Sequence, residues 1–184
     1  MDTSELLRYI GGGIACLNLC WFGIRIFIRR VPPQSPSSWV MWIALDVILV
    51  FATEKAGKPF WLPLGFAVGA TVVSLFLFIR GRWQWSKRDS FCALCAALAA
   101  AVWVTQPGVY GVVAGVLAMY AASMPIAIDL VRAPIREMRT MFAVTALGSF
   151  ISLVGSDGTL AGFLFPTTSV IFNSLMAGIV SRRV

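Results

Sequence analysis

Asp46, in the run "WVMWIALDVILVFA", is the side chain most able to do chemistry in this chain. It is the lone ionisable group of an apolar stretch, and Trp42 stands one helical turn before it on the same face. In a bilayer an ionised carboxylate costs about 2.5–3.5 kcal/mol on insertion scales, and such groups face the bundle interior or a wet cavity. The pair predicts a solute path, with Asp46 carrying a proton or contacting the solute and Trp42 stacking on it. The alternative is a carboxyl that is protonated, or bonded to a neighbouring helix, and serves packing alone. Asn173, in "SVIFNSLM", shares a helical face with Ser169 and Pro166. Its amide offers donors and an acceptor to a solute or to another helix. Asn18 and Tyr120 are two further polar positions in the middle of apolar runs, read as cavity-lining or as interhelical bonds.

Other chemistries find little to work with. The chain has no histidine, which removes the commonest general base and metal ligand. Cys16 and Cys20 are four apart, and Cys92 and Cys95 form a C-x-x-C inside an apolar run, where cysteine is an ordinary small apolar residue. No loop cysteine, P-loop or Ser/His/Asp set accompanies them. The expectation is therefore no enzyme, no cofactor and no metal site.

These residues must be positioned by membrane helices. Of 184 residues, 59% are hydrophobic and 12% charged, against about 25% charged in soluble domains. Too few polar side chains remain to cover a soluble surface. Net charge +7 would suggest nucleic acid in a soluble protein; here the basic residues lie between apolar runs, so a bilayer and not nucleic acid is the expected partner. "MDTSELLR" lacks a basic segment ahead of the first run, so that run is expected to be retained.

Apolar runs fall at about 9–28, 38–53, 60–80, 90–105, 109–131, 140–155 and 160–180. The second, fourth and sixth are short for a ~30 Å core. Charge supports counting all seven. One side then receives Arg29, Arg30, Arg80, Arg82, Lys87, Arg88, Arg132, Arg136, Arg139, Arg182 and Arg183, and the other only Arg8, Lys55 and Lys58. The positive-inside rule puts the N-terminus outside and the C-terminus in the cytoplasm, in a plasma or bacterial inner membrane. Trp39, Trp61, Trp83 and Trp85 lie near run ends, as in an interfacial aromatic belt. "GVVAG" at 111–115 is a G-x-x-x-G match, a face for a helix contact or a homo-oligomer.

Residues 10–32 align without a gap on 112–134: Gly13 meets Gly115, Ile26 meets Ile128, Arg30 meets Arg132 and Pro32 meets Pro134. Asn18 meets Tyr120, and Gly23 meets Pro125. Each copy continues through a short run into a third run containing proline. The expected fold is an all-α membrane protein of seven transmembrane helices: a three-helix repeat (1–88), a linker helix (89–108) and a second, parallel three-helix repeat (109–184).

This 3+1+3 arrangement, with an outside N-terminus and a proline near the cytoplasmic end of a repeat's first helix, resembles the SWEET/PQ-loop superfamily of small-solute transporters. Pro125 matches the proline of that family's Pro-Gln pair, with Ile126 in place of the glutamine. Asn173 resembles the pocket asparagine on the third helix of a repeat. The resemblance implies alternating access between the repeats, a polar solute near the midplane, and Pro125 as the flexible point. Asp129 and Arg132, three apart near the cytoplasmic end, are expected to pair as topology and gate charges. Transport is one reading; a non-transporting scaffold, sensor or complex subunit is the other, marked by a dry bundle with Asp46 on an outer face.

Overall fold

The computed structural model describes residues 2–28, 36–55, 60–80, 85–105 and 109–182. Most of the "VPPQSPSS" stretch, Arg29, Arg30, Lys58, Arg82, Trp83 and Arg183 lie outside these residues, as does the side chain of Lys55. The described residues form seven helices: α1 (Thr3–Phe27), α2 (Ser37–Lys55), α3 (Trp61–Ile79), α4 (Lys87–Thr105), α5 (Val109–Arg132), α6 (Arg136–Val154) and α7 (Leu160–Ser181). Five are long and apolar enough to cross a membrane: α1, α3, α5, α6 and α7. The apolar run of α6 looked short, but its helix reaches back through a charged first turn to Arg136 and gains the needed length. This is an all-α helical bundle of an integral membrane protein.

Local signals set several helix ends. At the start of α4 the Ser86 hydroxyl accepts the Asp89 N–H at 3.2 Å, and the Asp89 carboxylate accepts the Ser86 N–H at 2.7 Å, a reciprocal capping box. Gly158, at φ 73°, turns the chain into α7, whose first turn donates the Gly162 N–H to the Thr159 hydroxyl. Pro134 follows the end of α5, where it cannot extend the helix.

The outer surface suits lipid. Leu17, Phe51, Phe78, Phe91, Val104 and Leu175 are each more than half exposed. On α4 the large residues Phe91, Leu94, Leu98 and Val102 form an outward stripe. The opposite stripe, Cys92, Ala96 and Ala100, is buried against Ala118 and Ala122 of α5 and Met41 and Leu45 of α2. Small side chains let these helices approach closely. All four cysteines are free.

Helix α3 packs on both α1 and α2, and α7 packs on both α5 and α6; α1 meets α6, α2 meets α5, and α4 lies on α5 and touches α2. The tightest approaches are glycine contacts. A Cβ on Gly11 would stand 2.5 Å from the Gly148 carbonyl oxygen of α6. One on its neighbour Gly12 would overlap the Trp61 carbonyl, and one on Gly65 of α3 the Gly12 carbonyl. Adjacent glycines thus hold α1 against two helices, backbone to backbone.

The ends of the bundle differ. The C-termini of α1, α3, α5 and α7 and the N-termini of α2, α4 and α6 share the end carrying Arg80, Arg88, Arg132, Arg136 and Arg182. At this basic end an apolar plug, including Phe22, Trp39, Leu77, Ile126, Met138 and Val180, draws on every helix except α4. Trp39 therefore belongs to no interfacial belt. It is fully buried, packed 6.0 Å from Phe22 and 5.0 Å from Trp42 between ring centroids, because the first turn of α2 is covered by its neighbours. Trp61 stacks on Phe60 at 4.8 Å, and Trp85 is exposed.

Candidate functional site

Immediately beyond the plug lies a cavity of about 60 Å³, counted as space open to the centre of a water. A single water needs roughly 10–15 Å³ on that measure, so the space takes several waters or a small solute. Its walls come from six helices, all but α4. Helix α2 contributes Trp39, Trp42 and Asp46, and α3 contributes Phe66 and Ala70. Tyr120 and Ser123 enter from α5, Phe142 and Thr145 from α6, and Thr168, Ser169, Phe172 and Asn173 from α7.

Asp46 is 2% exposed, and its Oδ1 is buried without a hydrogen-bond partner among the described residues. It does not lie on an outer face, and no neighbouring helix bonds that oxygen. A buried ionic group is usually paired; this one is aimed into a cavity. Trp42 sits beside it, but its indole N–H is given to the Ser123 hydroxyl at 2.9 Å, and Ser123 in turn donates to the Met119 carbonyl at 2.7 Å. This bond ties α2 to α5 and fixes the indole in the wall.

The facing wall is a polar ladder. Asn173 donates to the Ser169 carbonyl at 2.8 Å and to the Ser169 hydroxyl at 3.2 Å. The Ser169 and Ser149 hydroxyls are 2.8 Å apart, Ser149 donates to the Thr145 carbonyl, and Thr145 donates to the Met141 carbonyl. Asn18 joins this ladder from behind, donating to the Met141 carbonyl at 2.8 Å and the Thr145 hydroxyl at 2.9 Å. Asn18 stands outside the cavity lining and bolts α1 to α6, whereas Tyr120, its partner in the sequence alignment, does line the cavity.

An aromatic hub was missed in the sequence. Phe172 is met near edge-on by Trp42 (6.2 Å), Tyr120 (6.1 Å) and Phe142 (6.1 Å), one ring from each of three other helices. Its spacing with Phe165 and Ser169 matches the face already marked by Asn173, which is the signal that could have found it. Phe165 itself lines this cavity and also a second, outer one bounded by Arg8, Thr53, Ser152, Asp157 and Pro166. Its ring meets Phe66 at 6.0 Å, nearly perpendicular. Pro166, expected beside Asn173, thus borders the outer cavity instead.

Below the cavity, Pro125 is buried within α5. A proline there removes one helix bond, and the next N–H, of Ile126, is donated across to the Ser38 hydroxyl of α2 at 3.2 Å. The expected Asp129–Arg132 pair does not form. Asp129 instead receives Arg88 of α4 at 2.9 Å, while Arg132 is exposed. The physical reason is that the antiparallel α4 brings Arg88 alongside the half-buried Asp129, while Arg132 in the last turn of α5 extends into solvent. Among the described residues, no group of three or more His, Cys, Asp or Glu is gathered to hold a metal. Compared with known proteins, the chain matches no family model, no curated protein and no solved structure.

Proposed function

We propose that this chain moves a small polar solute across its membrane by alternating access between two three-helix repeats, residues 1–88 and 109–184, joined by a linker helix at 89–108. The observation that carries the reading is the buried Asp46, one oxygen of it unpartnered among the described residues, in the lining of a cavity walled by both repeats. Ionisable residues inside a membrane face the bundle interior or a water-filled cavity and by default mark a solute or ion path.

The packing supports the repeat. The contacts among α1, α2 and α3 recur among α5, α6 and α7, with the third helix against both others in each set. Exchanging the two sets turns the α1–α6 contact into the α5–α2 contact, as a two-fold axis along the membrane normal requires. Helix α4 is absent from both plug and cavity, as befits a linker. This layout resembles the SWEET/PQ-loop superfamily, and membership there is part of the proposal.

In this conformation the apolar plug lies between the cavity and the basic, cytoplasmic end, while Phe165, in contact with Phe66, borders both this cavity and the outer one. Transport requires the plug to part, with α5 bending at Pro125 as the Ser38 bond is released. Asp129 and Arg88 are charges at that gate. The experiment is labelling of Ser169→Cys, in protein whose four native cysteines are replaced by alanine, with a membrane-impermeant thiol reagent. Modification from either face of sealed proteoliposomes is expected. Labelling from neither face, or from one face under all conditions, refutes alternating access at this site.

A further inference from the structure

The cavity's hydrogen-bonding capacity favours acceptors. Every Ser and Thr hydroxyl in its lining already donates to the protein. Ser123 gives its proton to the Met119 carbonyl, Thr145 to that of Met141 and Thr168 to that of Leu164 at 2.9 Å, while the Asn173 amide donates to the carbonyl and hydroxyl of Ser169. Ser149 is spent on the Thr145 carbonyl, so Ser169 is the donor in their mutual bond. The Trp42 indole is likewise occupied. What remains for a solute is mostly acceptors, the Asp46 carboxyl and the spare lone pairs of the hydroxyls, with the Tyr120 hydroxyl as a donor beside them. No lysine or arginine lines the space.

Resting on the transport reading, we infer that the solute is a small organic ammonium ion. An anion or a carboxylate-bearing solute would meet Asp46 with nothing to offset the repulsion. A polyol would find too few donors for its own oxygens, and unmatched polar groups cost affinity. A cation supplies what is missing. Its charge pairs with Asp46, and its N–H or N–CH groups face acceptors and the rings gathered on Phe172. Aromatic rings with one carboxylate are a recurring chemistry for ammonium recognition. The cavity volume limits the ion to a few heavy atoms around the nitrogen.

The test uses the purified full chain and tryptophan fluorescence, since Trp39 and Trp42 are in the wall. Choline and ethanolamine are titrated beside 3,3-dimethylbutan-1-ol, the neutral isostere of choline. Saturable quenching by at least one of the two cations is expected, with choline at least 10-fold tighter than the isostere if it is the one that binds. Asp46→Asn is expected to lower cation affinity at least 10-fold without changing that of the isostere, and Asp46→Glu to retain the preference. Equal binding of choline and isostere, no saturable signal with either cation, or an unchanged cation affinity in Asp46→Asn overturns the inference. A neutral solute that is carried by a protein labelled from both faces at Ser169→Cys would overturn the ammonium assignment alone. One-sided labelling would sink the transport reading, whatever binds.

Discussion

The α1–α6 and α2–α5 contacts occupy corresponding places in the bundle, yet they are made in opposite ways. At α1–α6 the backbones touch at Gly11 and Gly148, Asn18 of α1 spends its amide on Met141 and Thr145, and Arg8 donates to the Gly155 carbonyl that ends α6. At α2–α5 large rings hold the helices apart, Trp42 reaches Ser123, and Asp46 keeps a buried oxygen unmatched. The first contact is a closed seam. The second is a wall with a gap behind it. Matching topology therefore does not impose matching chemistry: a bundle can concentrate its polar cost on one junction while the other holds the fold.

The largest effect that could break this contrast is at the seam. Gly11→Leu forces side-chain atoms onto the Gly148 carbonyl and Ser152, neither of which can yield without moving α6. Overpacking of this kind costs about 3 kcal/mol or more when backbone is the obstacle. Loss of the monodisperse peak on size exclusion in detergent is the expected result. Next comes the wall. Asp46→Leu removes a desolvated polar group and is expected to raise stability by about 1–3 kcal/mol, read by thermal unfolding in detergent, while abolishing solute binding. Lower stability in this variant would mean that the carboxyl serves packing.

Smaller changes sharpen the comparison. Asn18→Ala is expected to cost about 1 kcal/mol of stability, the scale of an interhelical bond in a membrane, and to leave solute affinity unmoved. Ser38→Ala strips the Ile126 N–H of its cross-helix acceptor and should cost about 0.5–1 kcal/mol, with faster labelling of Ser169→Cys from the basic end. Arg88→Ala breaks a half-exposed pair with Asp129, and a shift below about 0.5 kcal/mol is expected in the same melting assay. Arg132→Ala, which loses no such pair, should shift it less.

Much of this was legible in the sequence because depth in a membrane is legible. An acid, an amide and a phenol in the middle of apolar runs have few places to go, and Asp46, Trp42, Asn173 and Tyr120 all reach one cavity. Asn18 showed where that rule stops, since the same depth serves an interhelical bond equally well. Phe172 was hidden because phenylalanine is ordinary in such helices, and only the convergence of three other helices makes it a hub. The Asp129–Arg88 pair joins helices whose adjacency no local spacing encodes. Trp39 was misread because a position near the end of a run can be buried sideways by neighbours. Which donors are already spent is beyond any one-dimensional reading, because each bond depends on rotamers set by the surrounding packing.

The Ser38–Ile126 bond also bears on how the chain is made. Helix α2 leaves the ribosome well before α5, so Asp46, Trp42 and Ser38 enter the membrane with none of their α5 contacts yet synthesised. Helix α1 likewise waits with Gly11 and Asn18 exposed until α6 arrives. A chain cut short before its second half would present lipid with a bare carboxyl and an open glycine face at once. Incomplete copies thus carry the surface that membrane quality-control proteases act on, and complete copies bury it.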